Sequence, residues 1–184
     1  MFATSTKTFV TTLAVAFVLV ASPSPASAGA EDLSIARAAT SSFHDLDAAK
    51  AAGYGPASFR DAAGIECIAT DPTLPNYAVM GIHYVNGSFV GDAVLDPARP
   101  EALVYQKLPN TKARLVAAEY IVFQGAWETA GNTAGPTLFG QPLKLIPMPN
   151  RYGLPPFYEI HAWIWQNNPS GIFKDYNPSG SCAN

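Results

Sequence analysis

Three histidines and one glutamate are the residues of this chain best suited to hold a metal ion or to move a proton. The histidines are His44, His83 and His161, and the glutamate is Glu119. None of the histidines forms a short H-x-H or H-x-x-x-H pair, the spacing that makes a metal motif strong on a single element. Any shared site therefore depends on strands that bring distant side chains together.

Glu119 lies in a segment with strong strand character, Arg114 to Gln124, which is dense in β-branched and aromatic residues. Side chains alternate between the two faces of a strand. The other members of the Glu119 face are Leu115, Ala117, Ile121 and Phe123. The opposite face is apolar too, so the carboxylate cannot simply be assigned to solvent. A carboxylate buried alone is unfavourable by several kcal/mol, so we expect Glu119 to be paired, protonated or metal-bound.

Two further strand-like segments carry His83 and His161. In Tyr77 to Val85, His83 shares a face with Gly81 and Val85, and Gly81 is expected to leave space above the sheet for a ligand or a neighbouring side chain. In Phe157 to Trp165, alternation predicts an aromatic wall beside two ionisable groups. The members of that face are Glu159, His161, Trp163 and Trp165.

The resulting hypothesis is a pocket in which His83, His161 and Glu119 converge, with His44 arriving from an N-terminal helix. Three imidazoles and a carboxylate suit one transition-metal ion, namely zinc, copper, manganese or iron. A small ligand could instead, or in addition, contact neighbouring side chains. The predicted ligand-binding residues are Trp163, Trp165, Glu159 and Tyr84.

Two other interpretations of the same residues stay open. In a secreted enzyme, Glu119 and His161 would act as general base and acid on a small polar or carbohydrate substrate. In a structural or interaction protein, a tyrosine or histidine would form a hydrogen bond with the buried glutamate, and there would be no pocket chemistry.

The elements that must position these residues begin with a helical region over residues 31–53. Apolar residues recur at three-to-four spacing, a break is expected near Ser41, Asp45 can cap a second short helix, and Gly53 suits a helix end. Strands are predicted afterwards over residues 65–69, 77–85, 88–95, 102–108, 114–124 and 157–165, with an edge strand near 143–146. Asn86-Gly87 is a hairpin signal between the second and third of these.

One helical region followed by five or six strands predicts an α+β fold. The N-terminal helix packs on a mostly antiparallel sheet, since few helices remain for parallel crossovers. A β-sandwich or an open barrel is the alternative architecture.

The first 28 residues have the pattern of a secretory signal peptide. Lys7 supplies the positive charge, Val10 to Val20 is an apolar run, and Ala26-Ser27-Ala28 is a cleavage site. The apolar run is shorter than the roughly 20 residues that span a bilayer. We therefore predict cleavage near Ala28, a single domain over residues 29–184, a secreted or extracytoplasmic location, and no stable membrane insertion after cleavage.

Cysteine content and charge narrow the chemistry further. Cys67 and Cys182 are the two cysteines of the sequence, and in an exported chain they predict one disulfide. The formal net charge is −3 and no basic run is present, which argues against nucleic acid or anionic membranes as partners. The sequence contains no nucleophile elbow, H-E-x-x-H, P-loop or dinucleotide fingerprint.

Several longer motifs resemble a group of uncharacterised exported bacterial proteins. They are FHDLDAAKAAGYG at 43–55, GIHYVNG at 81–87, PEALVY at 100–105, LVAAEY at 115–120, LFGQP at 138–142 and HAWIWQNNPSGIF at 161–173, together with the early Cys67 and the terminal Cys182. The resemblance covers most of the chain after residue 28. It implies an extracytoplasmic location and carries no catalytic role.

Overall fold

The computed structural model describes residue 1 and residues 25–107 and 113–182, with side chains from residue 29 onward in the first helix. Most of the predicted signal peptide therefore lies outside the described residues. In the described part, no helix has both the length and the apolar character needed to cross a membrane.

The N-terminal region consists of two helices joined by a tight turn. Helix α1 is Pro25–Thr40, a 3-10 turn follows at Ser41–His44, and α2 is Leu46–Ala51. The Asp45 side chain accepts a hydrogen bond from the Asp47 backbone N–H at 3.0 Å, which caps α2. Gly53 has a φ of 97° just past the helix end. The predicted break near Ser41 and the predicted cap at Asp45 are confirmed.

A curled sheet of six strands forms a half-barrel, and every neighbouring pair of its strands is antiparallel. The strand bounds are β1 Cys67–Ala69, β2 Val79–Val85, β3 Ala102–Gln106, β4 Arg114–Phe123, β7 Lys144–Ile146 and β8 Phe157–Ala162. Their order in the sheet is β1-β2-β3-β4-β8-β7. The predicted α+β class is confirmed, and the curl agrees with the open-barrel alternative.

Smaller elements connect these strands. A two-stranded ribbon pairs β5 Thr137–Leu138 with β6 Gln141–Pro142. Short helices α3 Gly87–Val90 and α4 Gln124–Thr129 follow β2 and β4. Strand β7 lies at the sheet edge, as its proline-rich flanks predict.

The predicted hairpin at Asn86-Gly87 is wrong. Asn86 instead caps α3, because its side-chain oxygen accepts from the Ser88 backbone N–H at 3.2 Å and from the Ser88 hydroxyl at 2.5 Å. Residues 88–95 do not form the expected strand. Strand β2 pairs with β3 instead, with Val85 opposite Ala102.

Both N-terminal helices pack on one face of the sheet. Ala36 of α1 belongs to a buried cluster with Tyr120 and Ile160, and Ala49 of α2 belongs to another with Leu103 and Tyr105. Residues of alternate parity on β4 and β8 therefore face away from the helices. Glu119, Glu159 and His161 are on that opposite face.

The C-terminal tail folds back across the domain. Cys67 and Cys182 form the predicted disulfide, with Cα atoms 5.8 Å apart. Asn177 and Val79 exchange two backbone hydrogen bonds of 3.0 and 2.9 Å, which adds the tail to β2. The disulfide fixes the tail to β1, and the backbone hydrogen bonds fix it to β2, the strand that carries His83.

Candidate metal centre

His83, Glu119 and His161 form one buried cluster. The two Nε2 atoms are 3.5 Å apart, His83 Nε2 is 3.5 Å from Glu119 Oε2, and His161 Nε2 is 3.7 Å from Glu119 Oε1. The three residues are 4%, 4% and 0% exposed. Each offers one ligand atom, and these atoms all lie within 4.8 Å of one another.

The register of the sheet explains this convergence. Glu119 on β4 is directly opposite His161 on β8, so the two side chains point to the same face at neighbouring positions. On β3, Ala102 is the register partner of Glu119, and Val104 is that of His83. The small Ala102 leaves room for His83 to reach Glu119 from two strands away.

The spacing of the three ligand atoms matches that of a tetrahedral metal site. Bonds of 2.0–2.2 Å to imidazole nitrogen and carboxylate oxygen place two ligand atoms about 3.3–3.6 Å apart. The separations of 3.5, 3.5 and 3.7 Å lie close to that range. The donor set, two imidazoles and a carboxylate, suits zinc, copper, manganese and iron.

Both histidines of the cluster are held neutral. Burial lowers the pKa of His83 to about 3, with the nearby His161 as a further cause. Burial also lowers the pKa of His161 to about 3, and Lys144 contributes in the same direction. A neutral imidazole is the form that binds a metal, so neither ring has to lose a proton first.

Glu119 is buried beside a second acidic side chain, Glu159. Burial raises the pKa of the Glu119 carboxyl well above its ordinary value, and the charge of Glu159 raises it further. Burial also raises the pKa of Glu159, and Asp175 adds to that effect while Lys144 opposes it. A divalent cation would offset these two carboxylates in a region of low polarity.

Glu159 is 2% exposed, and its carboxyl makes no hydrogen bond of ordinary geometry with the described residues. Its nearest cation is Lys144, whose Nζ lies 3.7 Å from Oε1 and also pairs with Asp175 at 2.5 Å. Glu159 was predicted to contact a ligand, and the structure places it beside the cluster.

A cavity of about 280 Å³ opens next to the cluster. His83, Glu119 and Glu159 form its polar end, and the rest of its wall is mainly apolar. The apolar and aromatic wall residues are Phe59, Ile68, Met80, Val85, Val90, Ile121, Phe123, Tyr152, Leu154 and Phe157. The loop residues of this wall, such as Phe59 and Leu154, are not predictable from strand alternation, because no periodic pattern marks a loop side chain that reaches a strand.

His44 does not join the cluster. It is exposed, and its ring packs edge-on against Trp165 with ring centres 4.4 Å apart. The prediction that His44 reaches the site from the helix is wrong, because the helices cover the face opposite Glu119 and His161.

Three other predicted ligand contacts lie away from the cavity. Trp165 contacts the helix-side clusters and donates to Thr40 Oγ1 at 3.0 Å, and Tyr84 packs against Tyr105 at 5.4 Å between ring centres. Trp163 is 3% exposed and donates to the Lys174 carbonyl at 2.6 Å. Trp163 keeps the predicted face, because its ring stacks on the His161 ring with centres 6.5 Å apart. Trp165 leaves that face because β8 ends at Ala162, after which strand alternation no longer applies.

The space at Gly81 is taken by a neighbouring residue, which is one of the two predicted alternatives. A Cβ at Gly81 would lie 2.7 Å from Val104 Cγ1 and 2.9 Å from the Tyr105 carbonyl oxygen. The φ of Gly81 is 125°, a positive value that glycine adopts more readily than other residues. The missing side chain therefore makes room for β3 and not for a ligand.

Fold and site together define an α+β protein with a buried two-histidine, one-carboxylate cluster at the end of an apolar cavity. Comparisons with protein-family models, with curated proteins and with solved structures give no match. The geometry of this site is therefore the basis on which a function can be assigned.

Proposed function

We propose that this protein binds one transition-metal ion through His83, Glu119 and His161 in an extracytoplasmic compartment. The observation that carries the proposal is the meeting of three ligand atoms, all within 4.8 Å of one another, from buried residues. Strands β2, β4 and β8 hold these residues, so the ligand positions are set by the sheet.

Each residue has a distinct role in this proposal. His83 and His161 are neutral imidazole ligands through Nε2, and Glu119 is the anionic ligand. Zinc, copper, manganese and iron all accept this donor set. Three protein ligands leave at least one coordination position for water or a bound molecule, as in catalytic zinc sites.

The location rests on separate support. The intramolecular disulfide between Cys67 and Cys182 fits an oxidising compartment. The pattern of residues 1–28 is that of a cleaved signal peptide. The resemblance to exported bacterial proteins supports the same location. We therefore propose that a bacterium exports this protein.

Metal content of purified protein tests the proposal. We expect one zinc, copper, manganese or iron ion per chain after loading and desalting, measured by elemental analysis. His83→Ala and His161→Ala should each reduce the bound metal to less than about one tenth of that level. His44→Ala is the matched control and should keep full loading, because that ring lies on the helix-covered face. Equal loading of all four proteins would contradict the assignment.

A second candidate function is acid–base catalysis without a metal. It is favoured by the contact between Glu119 and His161 at 3.7 Å beside a cavity. The pKa directions exchange the expected roles: Glu119, with its raised pKa, would be the acid, and neutral His161 the base. Turnover of a small polar or carbohydrate substrate that persists in chelator and is lost in Glu119→Gln would favour this function over the first.

A further inference from the structure

The cavity beside the cluster has two chemically distinct ends. Its polar end consists of His83, Glu119 and Glu159, and the remaining wall is mostly aliphatic or aromatic. A mainly apolar cavity with a small number of precisely placed polar groups is typical of a site for a small organic molecule. This arrangement differs from a purely structural metal site, in which protein ligands close the coordination sphere.

The size of the cavity limits its occupant. Its volume of about 280 Å³ is roughly twice that of a cavity of about 150 Å³ that binds benzene in another protein. Two small rings, or one ring with a short substituent, match that space. Gly87 lines the cavity and is exposed, so the cavity has a side that reaches solvent.

The charges at the polar end select the head group of the occupant. A divalent ion would face the carboxyl groups of Glu119 and Glu159, and Lys144 and Asp175 lie just beyond Glu159. The positive charges of the metal ion and Lys144 already balance the negative charges of the three carboxylates. An added anion would therefore have no oppositely charged partner in this buried site. A neutral nitrogen or oxygen donor introduces no such charge.

We infer that the cavity binds a small, mainly apolar molecule whose neutral donor atom ligates the metal at the His83–Glu119–His161 cluster. This inference rests on the proposed function and names the ligand class for that same site. The apolar body of the ligand lies against the wall formed by Val85, Ile121 and Leu154, and its donor occupies the coordination position that the protein leaves free.

The test uses cobalt(II)-loaded full-length protein, because the visible spectrum of cobalt reports directly on its ligands. The probes are imidazole, which supplies the donor alone, and 4-phenylimidazole, which adds an apolar ring, both at a pH where they are neutral. We expect 4-phenylimidazole to bind about ten-fold more tightly than imidazole or better, because its ring is buried in the cavity. Without metal, the affinity for 4-phenylimidazole should fall by a similar factor.

Two variants fill the cavity from different walls, Val85→Phe from strand β2 and Leu154→Trp from the loop before β8. Each should keep one metal per chain and lose the preference for 4-phenylimidazole. Val94→Phe is the control for added bulk, since Val94 is 48% exposed and does not line the cavity. It should keep the preference.

The possible results distinguish failure of the ligand inference from failure of the metal assignment. One cobalt per chain with equal affinity for the two probes would overturn this inference and leave the metal assignment standing. Failure to bind cobalt or any other transition metal would overturn the proposed function and the inference with it. Loss of the ring preference in Val94→Phe as well as in the two cavity variants would also overturn the inference, because the effect would not depend on the cavity.

Discussion

Glu119 and His161 are register partners on adjacent antiparallel strands, and the Glu119 Oε1 to His161 Nε2 distance is 3.7 Å. Direct cross-strand neighbours share one face of a sheet at close range. The pair is therefore fixed by the backbone hydrogen bonds between β4 and β8. His83 completes the cluster from β2, where it is held by pairing with Val104 of β3.

Glu119→Gln is expected to have opposite effects on metal affinity and on the stability of the metal-free fold. Metal affinity should fall about 100-fold or more, because an anionic ligand is lost. The raised pKa of Glu119 means that its contribution to stability declines as the pH rises above the pKa of the unfolded chain. The free energy of unfolding of the metal-free variant at pH 8 should exceed that of the wild type by about 1–3 kcal/mol.

Urea denaturation of chelator-treated protein, together with metal titration, measures both effects. Glu31→Gln is the matched control, because Glu31 is exposed and should leave both quantities within about 0.5 kcal/mol of the wild type. A Glu119→Gln protein that is less stable than the wild type without metal would contradict this explanation.

Metal affinity is expected to rise with pH, and Glu119 is expected to be the source of the dependence. His83 and His161 have pKa values lowered to about 3, so both stay neutral and bind no competing proton at pH 5 or above. The pKa of Glu119 is raised, so metal binding must displace its proton. Calorimetry in buffers of different ionisation enthalpy should show that protons are released when the ion binds. An affinity that is constant between pH 5 and pH 8 would refute this.

Glu101, which is not one of the three proposed metal ligands, provides a second pH-dependent effect on stability. It is 1% exposed, accepts a hydrogen bond from the Ile121 backbone N–H at 3.0 Å, and burial raises its pKa to about 8. Between the ordinary pKa of about 4.5 and about 8, the folded state holds a proton that the unfolded state has lost, so stability falls as the pH rises.

Glu101→Gln keeps an oxygen to accept from Ile121 and removes the titration. Its free energy of unfolding should exceed that of the wild type by about 1–3 kcal/mol at pH 8, and the difference should shrink toward pH 4.5. Exposed Glu128 offers the control substitution Glu128→Gln. If the gain in stability at pH 8 equals that at pH 4.5, the burial of the Glu101 charge is not its cause.

The disulfide between Cys67 and Cys182 closes a loop with a sequence separation of 115 residues. Replacing both cysteines by serine should lower the free energy of unfolding by about 2–5 kcal/mol, because the unfolded chain regains freedom. Thermal unfolding with and without reductant measures this. Wild-type protein should respond to reductant and the double variant should not. A double variant as stable as the oxidised wild type would show that the tail is held by its other contacts.

Much of the cluster could be predicted from strand alternation alone. Glu119 is the polar member of an apolar face in Arg114 to Gln124, and His161 occupies the matching face of its strand, so both faces were correctly assigned. The burial of Glu119 followed from the apolar character of both faces of its strand. The pairing of β4 with β8 did not follow, because it depends on contacts far apart in the chain.

The sequence-based predictions are wrong where one local sequence pattern is compatible with more than one structure. Asn86 can begin a hairpin or cap a helix, and its hydrogen bonds to Ser88 select the cap. Strand alternation extended to residue 165 predicts Trp165 on the His161 face, but the strand ends at Ala162. The position of His44 depends on which face of the sheet the helices cover, which alternation within one strand cannot decide.

Crystals of the protein grown with zinc and measured at the zinc absorption edge test the central claim most directly. The account predicts a single strong anomalous peak at about 2.0–2.2 Å from Nε2 of His83, Nε2 of His161 and one carboxylate oxygen of Glu119. A zinc-loaded crystal with no peak among these three residues, or with its strongest peak at another group, would contradict it.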